Sequence, residues 1–151
     1  MPAVQSTYDT ALAVGFPGMV ANGETSNRIS RTVEDVAGIA FGKAAFRGAG
    51  DHGITGTPAA NALIGITIAN YAAPPKADGD VDDAYPQYSS AGLMTQGVIW
   101  VTAGANATDG AQVYVTPGGV FTPTSSSNIL LTGWFFEDTV SSGALVRIAK
   151  R

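Results

Sequence analysis

Between Leu63 and Tyr71 the chain alternates with a period of two, Ile64, Ile66 and Ile68 falling on one side and Gly65, Thr67 and Ala69 on the other. Such alternation puts successive side chains on opposite faces of an extended backbone, where β-branched residues pack well. The segment reads as a strand, and further segments read the same way. From Asn27 to Asp35, Ile29 and Val33 share a face opposite Arg28, Ser30, Thr32 and Glu34, with Arg31 breaking the pattern. Residues 39–47 could be strand or short helix, but Gly38, Gly42 and Gly48 favour strand. Residues 97–103, 112–116, 120–122, 129–137 and 144–149 are also expected strands, with Pro117-Gly118-Gly119 closing a hairpin. The expected fold class is all-β, a single antiparallel β-barrel or β-sandwich.

Residues 1–26 hold Gly15, Pro17, Gly18, Asn22 and Gly23 without a sustained period, so an extended N-terminal arm with a turn at Phe16-Pro17-Gly18 is expected. The single β domain then spans 27–151. Inserted in it, residues 72–90 contain Pro74, Pro75, Asp78, Asp80, Asp82, Asp83 and Pro86 and predict a long acidic surface loop. A faint internal echo appears at a shift of about 68 residues: Val33 falls on Val101, Gly42 on Gly110, Phe46 on Tyr114, Gly50 on Gly118, Leu63 on Leu131 and Gly65 on Gly133. A true repeat would mean two related β units packed together. On strand 129–137, Leu130, Trp134 and Phe136 are expected on one face and Ile129, Leu131 and Phe135 on the other, making both faces apolar.

At 45% apolar residues the chain has enough hydrophobic material to fold, and at 13% charged residues it has little charge to spread over its surface. Much of the exterior must be small and uncharged, as suits a protein that sits against neighbours. A net charge of -4 argues against a nucleic-acid partner, which calls for clustered Lys and Arg. No cysteine is present, so disulfides, thiolate nucleophiles and Cys-based zinc sites are excluded. No apolar run approaches the length of a membrane span, and the first residues lack the features of a signal peptide, so synthesis in the cytoplasm is expected.

Three segments mimic chemistry. Gly48-Ala49-Gly50-Asp51-His52-Gly53 fits the spacing of a dinucleotide-binding turn, but the following Ile54-Thr55-Gly56-Thr57-Pro58 cannot open the helix that chemistry needs, leaving a glycine-rich turn. His52 is the lone histidine, and no G-x-S-x-G elbow presents a nucleophile, so no catalytic residue is assigned. Asp78 to Asp83 resembles a calcium loop, yet its sixth position is Asp83 rather than Gly and its twelfth is Ser89 rather than Glu. No metal or cofactor is expected. Tyr85 and Tyr88, beside the acidic loop, are the sole candidates for a carbohydrate-stacking site.

The stretches Val14 to Gly23, Ser26 to Asp35 and Gly38 to Ala45, with the pattern Gly110 to Tyr114, Ile129 to Phe136 and Gly143 to Arg147, resemble the structural cement (capsid decoration) proteins of tailed bacteriophages. The resemblance implies a mostly β, non-enzymatic virion protein that binds the exterior of the mature head and bridges neighbouring major capsid subunits. It also implies an oligomer, with a homotrimer favoured over a dimer because threefold and quasi-threefold capsid positions suit one. Phe16, Pro17, Met19, Arg28, Arg31 and Arg47 are the candidate capsid or subunit contacts. The competing reading is another β-rich virion module, a tail-tube component or a fibre or adhesin head.

Overall fold

The computed structural model describes residues 13–72 and 83–151. Its strands are β1 (Asn27–Val33), β2 (Ile39–Ala40), β3 (Ala44–Arg47), β4 (Gly53–Thr55), β5 (Leu63–Thr67), β6 (Ala84–Tyr85), β7 (Ser90–Thr102), β8 (Gln112–Val115), β9 (Phe121–Thr122), β10 (Ile129–Phe136) and β11 (Leu145–Lys150). Nine of them form one sheet in the order β1-β4-β3-β5-β7-β11-β10-β8-β9, and β2 pairs with β6 apart from it. Because β1 also pairs with β7, the first five close into a barrel.

β7 is the hinge of the architecture. Its first half pairs with β1 from Ser90 to Gln96, and its second half pairs with β11 from Gly97 to Thr102. At the changeover Gly97 has φ +128, and a Cβ there would come within 2.8 Å of Ser26 Cβ and 3.0 Å of Met94 Sδ. Beyond it β7, β11, β10, β8 and β9 form a second unit, whose ends meet where Gly104 N–H donates to the Phe121 carbonyl at 2.8 Å, beside a parallel bridge from Ala103 to Phe121.

The sequence echo has a structural counterpart. A shift of 68 carries β3 (44–47) onto β8 (112–115), the start of β4 (53) onto the start of β9 (121), and β5 (63–67) into β10. Gly42 and Gly110 both have positive φ, and each donates its N–H to the end of the matching strand, at Thr67 and Phe136. The first unit's parallel pair, β1 with β4, has its counterpart in the parallel bridge of the second.

The strand faces differ from a simple alternation in both units. Leu131, Trp134 and Phe136 are buried together, while Leu130 and Phe135 are exposed at 39% and 41%. The spacing of three between Leu131 and Trp134 is produced by a bulge at Gly133, where φ is +83 and the β8 register shifts. Leu63 and Ile66 of β5, and Ile68 just beyond it, pack on the cluster that the two units share, whereas Ile64 packs on the cluster inside the first. Gly65 sits at the reversal, where a Cβ would lie 2.6 Å from the Met94 carbonyl oxygen and the β3 register slips. The Ile64/Ile66/Ile68 face and the two-faced β10 are therefore corrected by the same device.

Other boundaries move as well. The expected strand 39–47 is two strands split at Gly42. Strand 63–71 stops at Thr67, whose buried hydroxyl donates to the Ala40 carbonyl at 2.7 Å and accepts from Lys43 N–H at 2.9 Å. The loop 72–90 contains β6, and its last residue, Ser90, begins β7. Its acidic centre lies outside the described residues.

The glycine-rich turn holds the strand β4 that sequence reading left out, and it does bind an anion, one from its own chain. Glu34 accepts from Ala49 N–H at 2.7 Å and Gly50 N–H at 2.8 Å, and a Cβ at Gly48 or Gly53 would overlap its carboxylate. Asp35 accepts from Thr55 and Gly56, each at 2.7 Å. Two adjacent carboxylates thus fasten both ends of the three-residue strand β4, too short to hold by its ladder alone. Glu34→Ala should lower unfolding free energy by about 1–3 kcal/mol, whereas Asp51→Ala in the same turn should stay within about 0.5 kcal/mol; urea denaturation of both variants checks the contrast.

Candidate functional site

The described part of the arm is built into the second unit. Gly18 N–H donates to the Trp100 carbonyl at 2.8 Å, Trp100 N–H to Met19 at 2.9 Å, and Ala21 N–H to Val98 at 3.0 Å, so Gly18–Ala21 runs antiparallel along β7 opposite β11. The turn before it fits because Gly18 and Gly42 pack backbone to backbone: a Cβ on Gly42 would stand 2.6 Å from Gly18 N. Gly15 lies against the Trp100 ring, within 2.9 Å of its indole atoms for an added Cβ. Arg147 stacks over the same ring at 5.6 Å and holds Asp138 in a two-pronged pair. The Trp100 Nε1 is buried without a hydrogen-bond partner among the described residues.

A second arginine fastens the arm from the other end. Arg151 donates to both oxygens of Glu24, at 3.1 and 3.0 Å, and to both oxygens of Glu137, at 2.6 and 3.1 Å. Its hydrogen bonds hold the Glu24 and Glu137 carboxyls below their ordinary range, and those of Arg147 do the same for Asp138. These pairs join residues far apart in sequence, Glu24 and Arg151 by 127 positions, so no local pattern announced them.

Past the fastened segment the arm displays apolar surface. Phe16 meets Tyr71 edge-on at 5.6 Å, Tyr71 meets Phe41 at 5.9 Å, and Phe41 meets Tyr85 at 5.1 Å. The inner end of this chain is buried, while Tyr71 is 69% exposed and Val14 75% exposed. Phe16, Pro17, Phe41, Lys43, Asp83 and Thr102 line an adjoining pocket of about 230 Å³. Neither Val14 nor Tyr71 was singled out from sequence, since exposure of an isolated aromatic has no local signature.

Of the expected contacts, Phe16 and Pro17 are exposed together on this rim, whereas Met19 is half-buried and serves through its backbone. Arg28 and Arg47 are exposed; Arg31 is half-buried and turns its guanidinium to the Ser30 carbonyl at 2.9 Å. Arg28 and Arg31 lie on β1 and Arg47 on β3, away from the arm segment. Tyr85 is no stacking platform: it is buried, its hydroxyl donates to the Ile68 carbonyl at 2.6 Å, and burial raises its pKa. Tyr88 alone of that pair is exposed. Among the described residues no three acidic, His or Cys side chains gather as a metal site, and no helix is long and apolar enough to cross a membrane.

Fold and surface together define an all-β protein with an exposed apolar rim and exposed arginines on its strands. The family profile described as structural cement protein (E217 gp24/Pam3 gp6) matches residues 4–150, and the chain belongs to that family. It is a bacteriophage capsid cement protein, a structural part of the virion that binds capsid protein. Among solved structures, a chain of the capsid of Myoviridae phage XM1 shares the fold, with a TM-score of 0.76 and 15% identity over 97% of this chain and 96% of that one. The head fiber gp8.5 N base of bacteriophage phi29 aligns with a TM-score of 0.45 and 14% identity over 84% of this chain and 95% of that one. No curated protein matches the chain.

The arm fastening carries a pH dependence of definite sign. Glu24, Glu137 and Asp138 are depressed below ordinary values of 4.5, 4.5 and 3.8, so their contribution is complete above those values and is lost progressively as pH falls from them through the lower folded values. Lowering the pH from 6 to 3 should loosen the arm from Trp100 before the barrels unfold, read as a change in tryptophan emission that precedes loss of β circular dichroism. In Arg151→Ala the early change should already be present at pH 6.

Proposed function

We propose that this cement protein sits on the outer surface of the mature head as a homotrimer and bridges neighbouring major capsid subunits after synthesis in the host bacterial cytoplasm. The observation that carries the reading is the exposed apolar rim where Val14, Phe16 and Pro17, beside an arm segment laced into a sheet, come together with Tyr71. Contiguous apolar surface on a protein with little surface charge marks a contact face. A ligand that binds only the expanded shell stabilises that shell by mass action, and contact across several subunits multiplies weak individual interfaces.

In this reading Phe16 and Pro17 touch capsid or a sister subunit, Met19 anchors their approach, and Arg28, Arg31 and Arg47 supply a second, charged contact. A closed three-copy ring suits a threefold or quasi-threefold capsid position. A fibre or adhesin head would call for a polar recognition groove at a loop end, and the burial of Tyr85 removes one of the two aromatics available for it. No catalytic or cofactor role is part of the proposal, and neither nucleic acid nor membrane is a partner in it.

Purified protein should cosediment saturably with expanded capsids that lack it and leave unexpanded procapsids unbound. Phe16→Ser combined with Tyr71→Ser should weaken that binding by about tenfold or more with little change in melting temperature. Unchanged affinity in the double variant would remove the rim from the interface, and absence of binding to either shell would return the protein to the fibre reading.

A further inference from the structure

The internal repeat exposes an unfilled position. In the second unit, the strand equivalent to β1 is the Gly97–Thr102 half of β7, and a shift of 68 carries Ser30 onto Val98 and Thr32 onto Trp100. On the side away from β11, both backbone groups of Trp100 and the carbonyl of Val98 are engaged by the arm segment Gly18–Ala21. In the first unit the same edge of β1 is covered by β4 at Thr32 and Val33 alone, while β7 occupies the other edge from Asn27 to Thr32.

Thr32 N–H donates to the His52 carbonyl at 3.0 Å, which fixes the direction in which its backbone points. Strand alternation turns the backbone groups of Ser30 and Arg28 the same way. There, among the described residues, no backbone group meets them. The Ser30 carbonyl instead accepts from the Arg31 guanidinium at 2.9 Å, which stands where the N–H of a neighbouring strand would come. An arginine folded over an open edge also guards it against indiscriminate pairing.

We propose that the Asn27–Arg31 edge of β1 is a strand-addition site, filled in the assembled head by an extended acidic segment of the capsid protein. The arm on the second unit shows what such an occupant looks like: four residues, antiparallel, held by main-chain hydrogen bonds. The acidic character follows from Arg28 and Arg31, which flank the open backbone groups and have no carboxylate within ion-pair distance among the described residues. A second copy pairing edge to edge is disfavoured, because a twofold contact brings the arginines of both chains along one seam. The site rests on the capsid-binding reading above and names its chemistry.

Hydrogen exchange of the full-length protein, free and bound to expanded capsids, tests it. Exchange across residues 27–33 should slow on capsid binding and stay unchanged when the free protein is concentrated. Ser30→Pro deletes the outward N–H without touching the β7 ladder, and Arg28→Glu reverses a flanking charge. Each should weaken cosedimentation by at least about tenfold with a melting temperature close to that of the parent. Capsid binding with no slowing at 27–33, or both variants binding at parental strength, overturns the site and leaves the cement role standing. Slowing with protein concentration alone overturns it by giving the edge to a second copy. Failure of the unmodified chain to cosediment overturns the capsid-binding reading and this site with it. Should Ser30→Pro not fold, the exchange result on the unmodified chain decides.

Discussion

One strand belongs to two units, and the structure depends on that sharing. Ser90 to Gln96 closes the first barrel against β1 and β5, and Gly97 to Thr102 supports β11 on one edge and the arm on the other. Without β7 the first barrel has no closing strand, the second unit has no first strand, and the arm has no surface to lie on. The core respects the same logic: Phe46, Ile66 and Met94 of the first unit pack in one cluster with Trp134, Phe136 and Ile148 of the second. The two units share part of their hydrophobic core as well as a strand.

Strand content and the approximate place of most strands were legible in the sequence because alternation and turn residues act locally. The departures share a cause. Near Gly65 one extra residue, and around Gly133 three, enter one strand, so the apolar face reverses within a run that otherwise reads as regular, and a period of two carried across the bulge assigns Ile64 and Leu130 to the wrong side. β4 was hidden because its three residues sit among glycines, whose purpose is to leave space for the Glu34 carboxylate supplied from fifteen residues upstream. The dinucleotide-like spacing and the true role of that turn rest on the same physics, backbone N–H groups converging on a negative charge.

Of the proposed contact surface, Phe16 and Pro17 were suggested by an apolar pair at a turn in an arm, and Arg28 and Arg31 by a charge pattern on β1. Tyr71, Glu24 and Arg151 were not, since their importance arises when distant segments meet. The faint 68-residue echo turned out to be more informative than any motif. It aligns the arm-covered edge of the second unit with the uncovered edge of the first, a comparison available once both strand orders are known.

The shared strand also has a mechanical meaning. A load applied between the two units of this chain would run along the covalent backbone of β7 as well as across the side-chain core that the units share. The ladders on either side of β7 lie parallel to such a load, so their hydrogen bonds are sheared together instead of being opened one at a time. Resistance to load is then governed by the height of a single cooperative barrier, the quantity that sets lifetimes under force.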